Sequence, residues 1–110
     1  ETYGMIGTAE LALMKPTAYL LHLARGGIVD ESALYDALSR RAIAGAALDV
    51  VADEPAPKDH PLLSLDNVLW TPHLGAVTIE ASLWGEYGAA AEVVRVLEGN
   101  PPQNPVISFE

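Results

Sequence analysis

Arg25, Asp49, Glu54 and His73 are the residues whose types and spacing could do chemistry. Arg25 follows the apolar run 18–23. Asp49 lies inside the end of the run 43–51, with Glu54 just beyond it, and His73 follows the run 67–71. A histidine exchanges a proton near neutral pH. A carboxylate beside it favours the imidazolium and fixes the ring's orientation. An arginine grips a carboxylate ligand through two parallel hydrogen bonds. Together these groups could bind a small 2-oxo acid and protonate its carbonyl oxygen, or run the reverse, with general acid help of about 10²–10⁴ in rate. None of them supplies a hydride, so a cofactor would have to.

Taken singly, each residue has a plainer reading. An arginine before Gly26-Gly27 can simply begin a turn, a histidine after Thr71-Pro72 can be a surface loop residue, and Glu54 before Pro55 is a solvated acid by default. His60 sits in a polar loop and reads as structural. His22, inside an apolar run, reads as a satisfied core histidine. The plain readings weaken because Arg25, Glu54 and His73 fall at equivalent places after three successive strands.

The elements that must position them follow from periodicity and breakers. Residues 8–14 suit a short helix with Thr8 as its cap, Leu11, Leu13 and Met14 as its apolar positions and Pro16 as its stop. The run 18–23 has little alternation, the mark of a strand buried on both faces, as in a parallel sheet. Asp30 caps the next helix, with Glu31 in the first turn and Arg40 and Arg41 in the last, and Leu34, Ala37 and Leu38 make the buried stripe. A second strand covers 43–51. The segment 52–61 is irregular because three prolines interrupt it, and Pro61-Leu62-Leu63 suit one helical turn. A third strand spans 67–72. Thr78 caps a long helix to about Glu98, with a stripe of Leu83, Tyr87, Ala90, Val94 and Leu97, widened by Trp84, Ala91 and Val93; Gly99 ends it. The tail 103–110 carries an apolar patch that wants a neighbour.

Strands alternating with helical segments predict parallel βαβ units. The fold expected is α/β: a partial Rossmann-like sheet of about three parallel strands, flanked by helices on both faces. In such a sheet ligands bind outside the carboxyl ends of the strands, where the four polar residues gather.

Composition bounds the rest. One hundred and ten residues suffice for a single small domain. A net charge of −9 with six scattered Lys and Arg argues against binding a phosphate backbone, so no nucleic-acid partner is expected. No cysteine means no disulfide and no thiolate metal site, and it fits a cytoplasmic setting. No apolar run approaches the ~20 residues of a membrane span, and the first residues have neither the basic region nor the apolar core of a signal peptide.

The blocks "MKPTAYLLHLARGGIVDESAL", "GAALDVVADEP" and "NVLWTPHLGAVTIEA" resemble the C-terminal portion of the cofactor domain of the D-isomer-specific 2-hydroxyacid dehydrogenases, among them the phosphoglycerate and glyoxylate/hydroxypyruvate reductase-like enzymes. The likeness runs from about Thr2 to Val106, in the family's order and spacing. It implies that Arg25 binds the substrate carboxylate and helps polarise its carbonyl. It makes His73 the proton donor in reduction and the base in oxidation, and Glu54 the partner that holds His73 in its acidic form. Asp49 would hydrogen-bond the nicotinamide carboxamide. The backbone around Leu23 and Ala24, with His73, Gly75 and Ala76, would line the nicotinamide end of NAD or NADP. The resemblance also implies a small 2-oxo or 2-hydroxy acid as substrate and a homodimer as the assembly.

Two departures stand out. Where the family commonly has Asn three residues before the arginine, this chain has His22. The glycine-rich pyrophosphate turn and the substrate-binding domain are not present, for Gly4 and Gly7 enclose only "GMIG" and follow no strand. The expectation is therefore a piece of such an enzyme, inactive alone; a non-catalytic binding or assembly module and one half of a split enzyme are the alternatives.

Overall fold

A computed structural model describes residues 2–105, so the tail expected to seek a neighbour lies mostly outside the described residues. The chain forms two compact units, the first ending at Gly75 and the second beginning at Ala76.

In the first unit the order is α1 (Thr8–Ala12), β1 (Tyr19–His22), α2 (Glu31–Ser39), β2 (Gly45–Leu48), a 3₁₀ turn (Pro61–Ser64) and β3 (Val68–Trp70). The three strands form one parallel sheet in the order β1-β2-β3. The predicted element order and parallel pairing hold, but each strand is shorter than its apolar run. Ile43, Val50 and Val51 are buried without belonging to β2.

The expectation that β1 is buried on both faces is corrected. Side chains of a strand alternate between faces. In this register Leu20, Ala46 and Val68 line up on one face, as do His22, Leu48 and Trp70. That face meets Leu11 of α1, Leu34 and Leu38 of α2, and Leu62 of the 3₁₀ turn in a single core. The opposite face presents Tyr19, Leu21 and Leu69, each 67% exposed. Within this unit all the helical segments lie on one side.

Local chemistry accounts for the helices. Asp30 caps α2 by accepting the N–H groups of Ser32 and Ala33 at 3.0 Å, as its residue type predicts. Arg40 and Arg41 fall just beyond the last turn rather than in it. Arg41 sits at φ 56°, and its guanidinium grips Asp66 at 2.7 and 2.8 Å. Thr8 is inside α1 and Gly7 is the cap; having no side chain to offer, it leaves Glu10 to reach back and accept Gly7 N–H at 2.9 Å. α1 is short, and of its three expected apolar positions only Leu11 is buried.

The second unit is built on α3 (Ile79–Leu97). Thr78 caps it by accepting Ala81 N–H at 3.0 Å, and Gly99 follows its end at φ 82°. The apolar stripe is present in the sequence of α3, yet none of its residues is buried.

Candidate active site

The carboxyl ends of the three strands meet at one edge. Beyond the last paired residues the backbone continues the ladder: Asp49 N–H donates to His22 C=O, Thr71 N–H to Leu48 C=O and His73 N–H to Asp49 C=O, each at 2.9 Å. This brings Asp49, Thr71 and His73 side by side. The "RGG" turn joins them because Gly26 lies directly against the backbone of Val51 and Ala52, where a Cβ would collide with the Val51 carbonyl. Gly27 then turns the chain at φ 81°.

His73 sits at φ 55°, in the left-handed region that a non-glycine residue enters at a cost. Its ring Nδ1 lies 2.7 Å from Glu54 Oε2. The Glu54 carboxyl is held below its ordinary 4.5, first by that hydrogen bond, against the opposing effect of burial, with Val51 N–H and the charges of His73 and Arg25 adding. Glu54 is therefore a carboxylate, which only accepts, so Nδ1–H donates. Nε2 is left as the nitrogen that can give or take a proton. The pair is half-open to solvent and borders a cavity of about 530 Å³ walled by Trp70, Leu63, Pro55 and Pro72.

Arg25 makes no ion pair among the described residues. Its side chain donates only to the neighbouring Ala24 C=O, at 2.7 Å. Its charge nonetheless adds to the depression of the Glu54 carboxyl.

Asp49 does something its residue type did not announce. It is 4% exposed, and its side chain is a clasp for the His73 loop. Oδ1 accepts from the Thr71 hydroxyl at 2.5 Å and from Leu74 N–H at 2.8 Å, while Oδ2 accepts Gly75 N–H at 2.7 Å. These donors hold its carboxyl below the ordinary 3.8, the Thr71 hydroxyl first and Leu74 N–H next. The signal was available in the sequence: an aspartate ending an apolar strand must find donors, and Thr71 and the turn 73–75 supply them.

His22 is buried, and its Nε2–H donates to Arg25 C=O at 3.0 Å. Across three residues the side chain pins the backbone of the arginine, a positioning contact that sequence reasoning did not identify.

The same edge fits the nicotinamide end of a dinucleotide. Leu23 and Gly75 approach each other, for a Cβ on Gly75 would stand 3.9 Å from Leu23 Cδ2 and only 2.9 Å from Asp49 Oδ2. Asp49 Oδ2 accepts one bond and retains a lone pair for an amide donor. Leu21, Leu23, Ala47 and Leu69 supply an apolar wall beside Asp49 and Thr71. Ala24 is exposed between Leu23 and Arg25, and Ala76 opens the second unit. No G-x-G-x-x-G turn occurs in the sequence, so these residues fit one end of such a ligand and not its pyrophosphate.

A family model described as "D-isomer specific 2-hydroxyacid dehydrogenase, NAD binding domain" matches residues 1–75, ending where the first unit ends. A D-3-phosphoglycerate dehydrogenase from Methanocaldococcus jannaschii is 48% identical over 106 residues, which is 96% of this chain and 20% of that protein. A glyoxylate reductase from Thermofilum pendens is 48% identical over 102 residues, 93% of this chain and 30% of its own. A D-lactate dehydrogenase from Lactobacillus jensenii, solved with NAD+, superposes with a TM-score of 0.85 at 30% identity, covering 97% of this chain and 36% of that one. The chain thus spans a third or less of the curated relatives it matches.

Proposed function

The chain belongs to the D-isomer specific 2-hydroxyacid dehydrogenase family through its NAD binding domain, and from that premise we propose that it is the C-terminal portion of a Rossmann domain in an enzyme interconverting a 2-oxo acid and a D-2-hydroxy acid. The observation that carries the proposal is the His73–Glu54 pair, which commits Nδ1 and leaves Nε2 to work. In reduction Nε2–H gives its proton to the substrate's carbonyl oxygen; in oxidation neutral Nε2 takes the hydroxyl proton. The Glu54 carboxylate accepts Nδ1–H and so fixes the ring's orientation through both events. Arg25, with no carboxylate partner among the described residues, holds the substrate's carboxylate and draws charge from its carbonyl. NAD or NADP, when bound, supplies or accepts the hydride. Leu23, Ala24, His73 and Gly75 would line its nicotinamide end, and Asp49 Oδ2 would accept from the carboxamide.

The proposal includes a homodimer in the cytoplasm. The unburied apolar residues of α3 support the dimer, and the lack of cysteine suits a reducing compartment. No helix among the described residues is long and apolar enough to cross a membrane.

The test is a chimera in which these residues replace their counterparts in the Thermofilum pendens glyoxylate reductase. It is expected to oxidise NADH with glyoxylate. His73→Gln should lower kcat by about 10²–10⁴ with NADH affinity retained, and Arg25→Lys should raise KM for the 2-oxo acid. A chimera that binds NADH and turns over equally fast with His73→Gln overturns the assignment. The 110 residues by themselves are expected to show no turnover and weak NADH binding or none, read from the fluorescence of Trp70, which shares a cavity wall with His73.

A further inference from the structure

The loop 52–60 carries Glu54, yet no residue in it belongs to a helix or a strand. Pro55 and Pro57 remove two backbone donors from it. One side chain from outside ties both of its ends. Glu31, the first residue of α2, accepts Ala52 N–H on Oε1 at 2.6 Å, and His60 Nε2–H on Oε2 at 3.2 Å. The two side chains are well covered, 25% exposed for Glu31 and 10% for His60. Among the described residues Nδ1 of His60 is buried with no partner, so the bond to Glu31 is the ring's one polar anchor there.

The mounting is rigid at each point. α2 is fixed by its Asp30 cap and by Leu34 and Leu38 in the core. His60 leads directly into the 3₁₀ turn, whose Leu62 is buried in the same core. Consecutive amides then divide between two acids: Val51 N–H donates to Glu54 Oε1 at 3.3 Å and Ala52 N–H to Glu31. Glu54 thus leaves a backbone braced from one side by Glu31 and from the other by the Gly26 turn.

From this geometry we infer that Glu31 is a positioning residue for the acid–base pair: by clasping both ends of the loop 52–60, it holds Glu54 against His73. The inference rests on the reading of Glu54 and His73 as a working pair. It gives His60, which sequence reasoning leaves as a loop residue, the task of closing the clasp.

The test follows the Glu54 carboxyl by carbon-detected NMR titration of the full chain, because a purely local role for Glu31 would leave that group unmoved. In the unaltered chain it should titrate below 4.5. Glu31→Ala should move the midpoint up toward 4.5. Glu31→Gln, which keeps an oxygen for Ala52 N–H but turns an NH₂ group toward a ring nitrogen that donates, should restore the depression only in part. If Glu31→Ala does not fold, His60→Phe, which fills the space with no donor, should raise the midpoint partway. A depressed midpoint unchanged by Glu31→Ala or by His60→Phe overturns the inference alone. A midpoint already at 4.5 in the unaltered chain overturns the Glu54–His73 pairing and the inference with it.

Discussion

His73 owes its geometry to Asp49. The backbone bond from His73 N–H to Asp49 C=O, with the three donors on the Asp49 carboxylate, holds the loop 71–75 and so maintains a histidine at positive φ. The depressed carboxyl pKa makes this clasp acid-sensitive. The folded value lies below the ordinary 3.8, so the stabilisation is fully present above about pH 4 and is lost as pH falls through the folded value. Asp49→Asn should therefore lower the urea midpoint near pH 7, because its NH₂ group opposes backbone donors, and should flatten the fall in stability below about pH 4. Urea unfolding at several pH values reads both effects. A variant with an unchanged midpoint and an unchanged acid slope would remove the clasp from the account.

At the scale of elements, capping and close approach decide which segments hold. Asp30 is exposed, but its Oδ1 satisfies two of the orphan donors at the start of α2. Asp30→Ala is expected to cost about 1 kcal/mol, seen as a lower denaturation midpoint with the slope unchanged. A loss under about 0.3 kcal/mol would mean that water caps the helix equally well. This helix was legible in the sequence because its cap and its stripe at Leu34, Ala37 and Leu38 are local patterns. α1 was legible only in part: Gly7 caps through Glu10, a reciprocal contact that a search for a polar cap side chain misses.

For the whole molecule, the unclaimed apolar surface sets the expectation. Leu83, Trp84, Tyr87 and Leu97 are exposed on α3. Surface of this kind marks a protein that meets a partner. Light scattering at micromolar concentration is expected to return twice the monomer mass, and Trp84→Glu to shift the protein toward monomer. A monomer in the unaltered protein would contradict the dimer.

The sequence by itself determined the element order, the parallel pairing and the gathering of Arg25, Asp49, Glu54 and His73 at one edge, because these follow from short-range patterns: apolar runs, caps, prolines and the residue just after each strand. Tertiary structure alone decided what those residues do to one another. The 2.7 Å bond that selects Nδ1 of His73 spans nineteen residues, and the bond from His60 to Glu31 spans twenty-nine. Only packing brings such groups within hydrogen-bond distance. The exposed face of the sheet was likewise hidden from the sequence, since a short apolar run reads the same whether one side or both sides are covered.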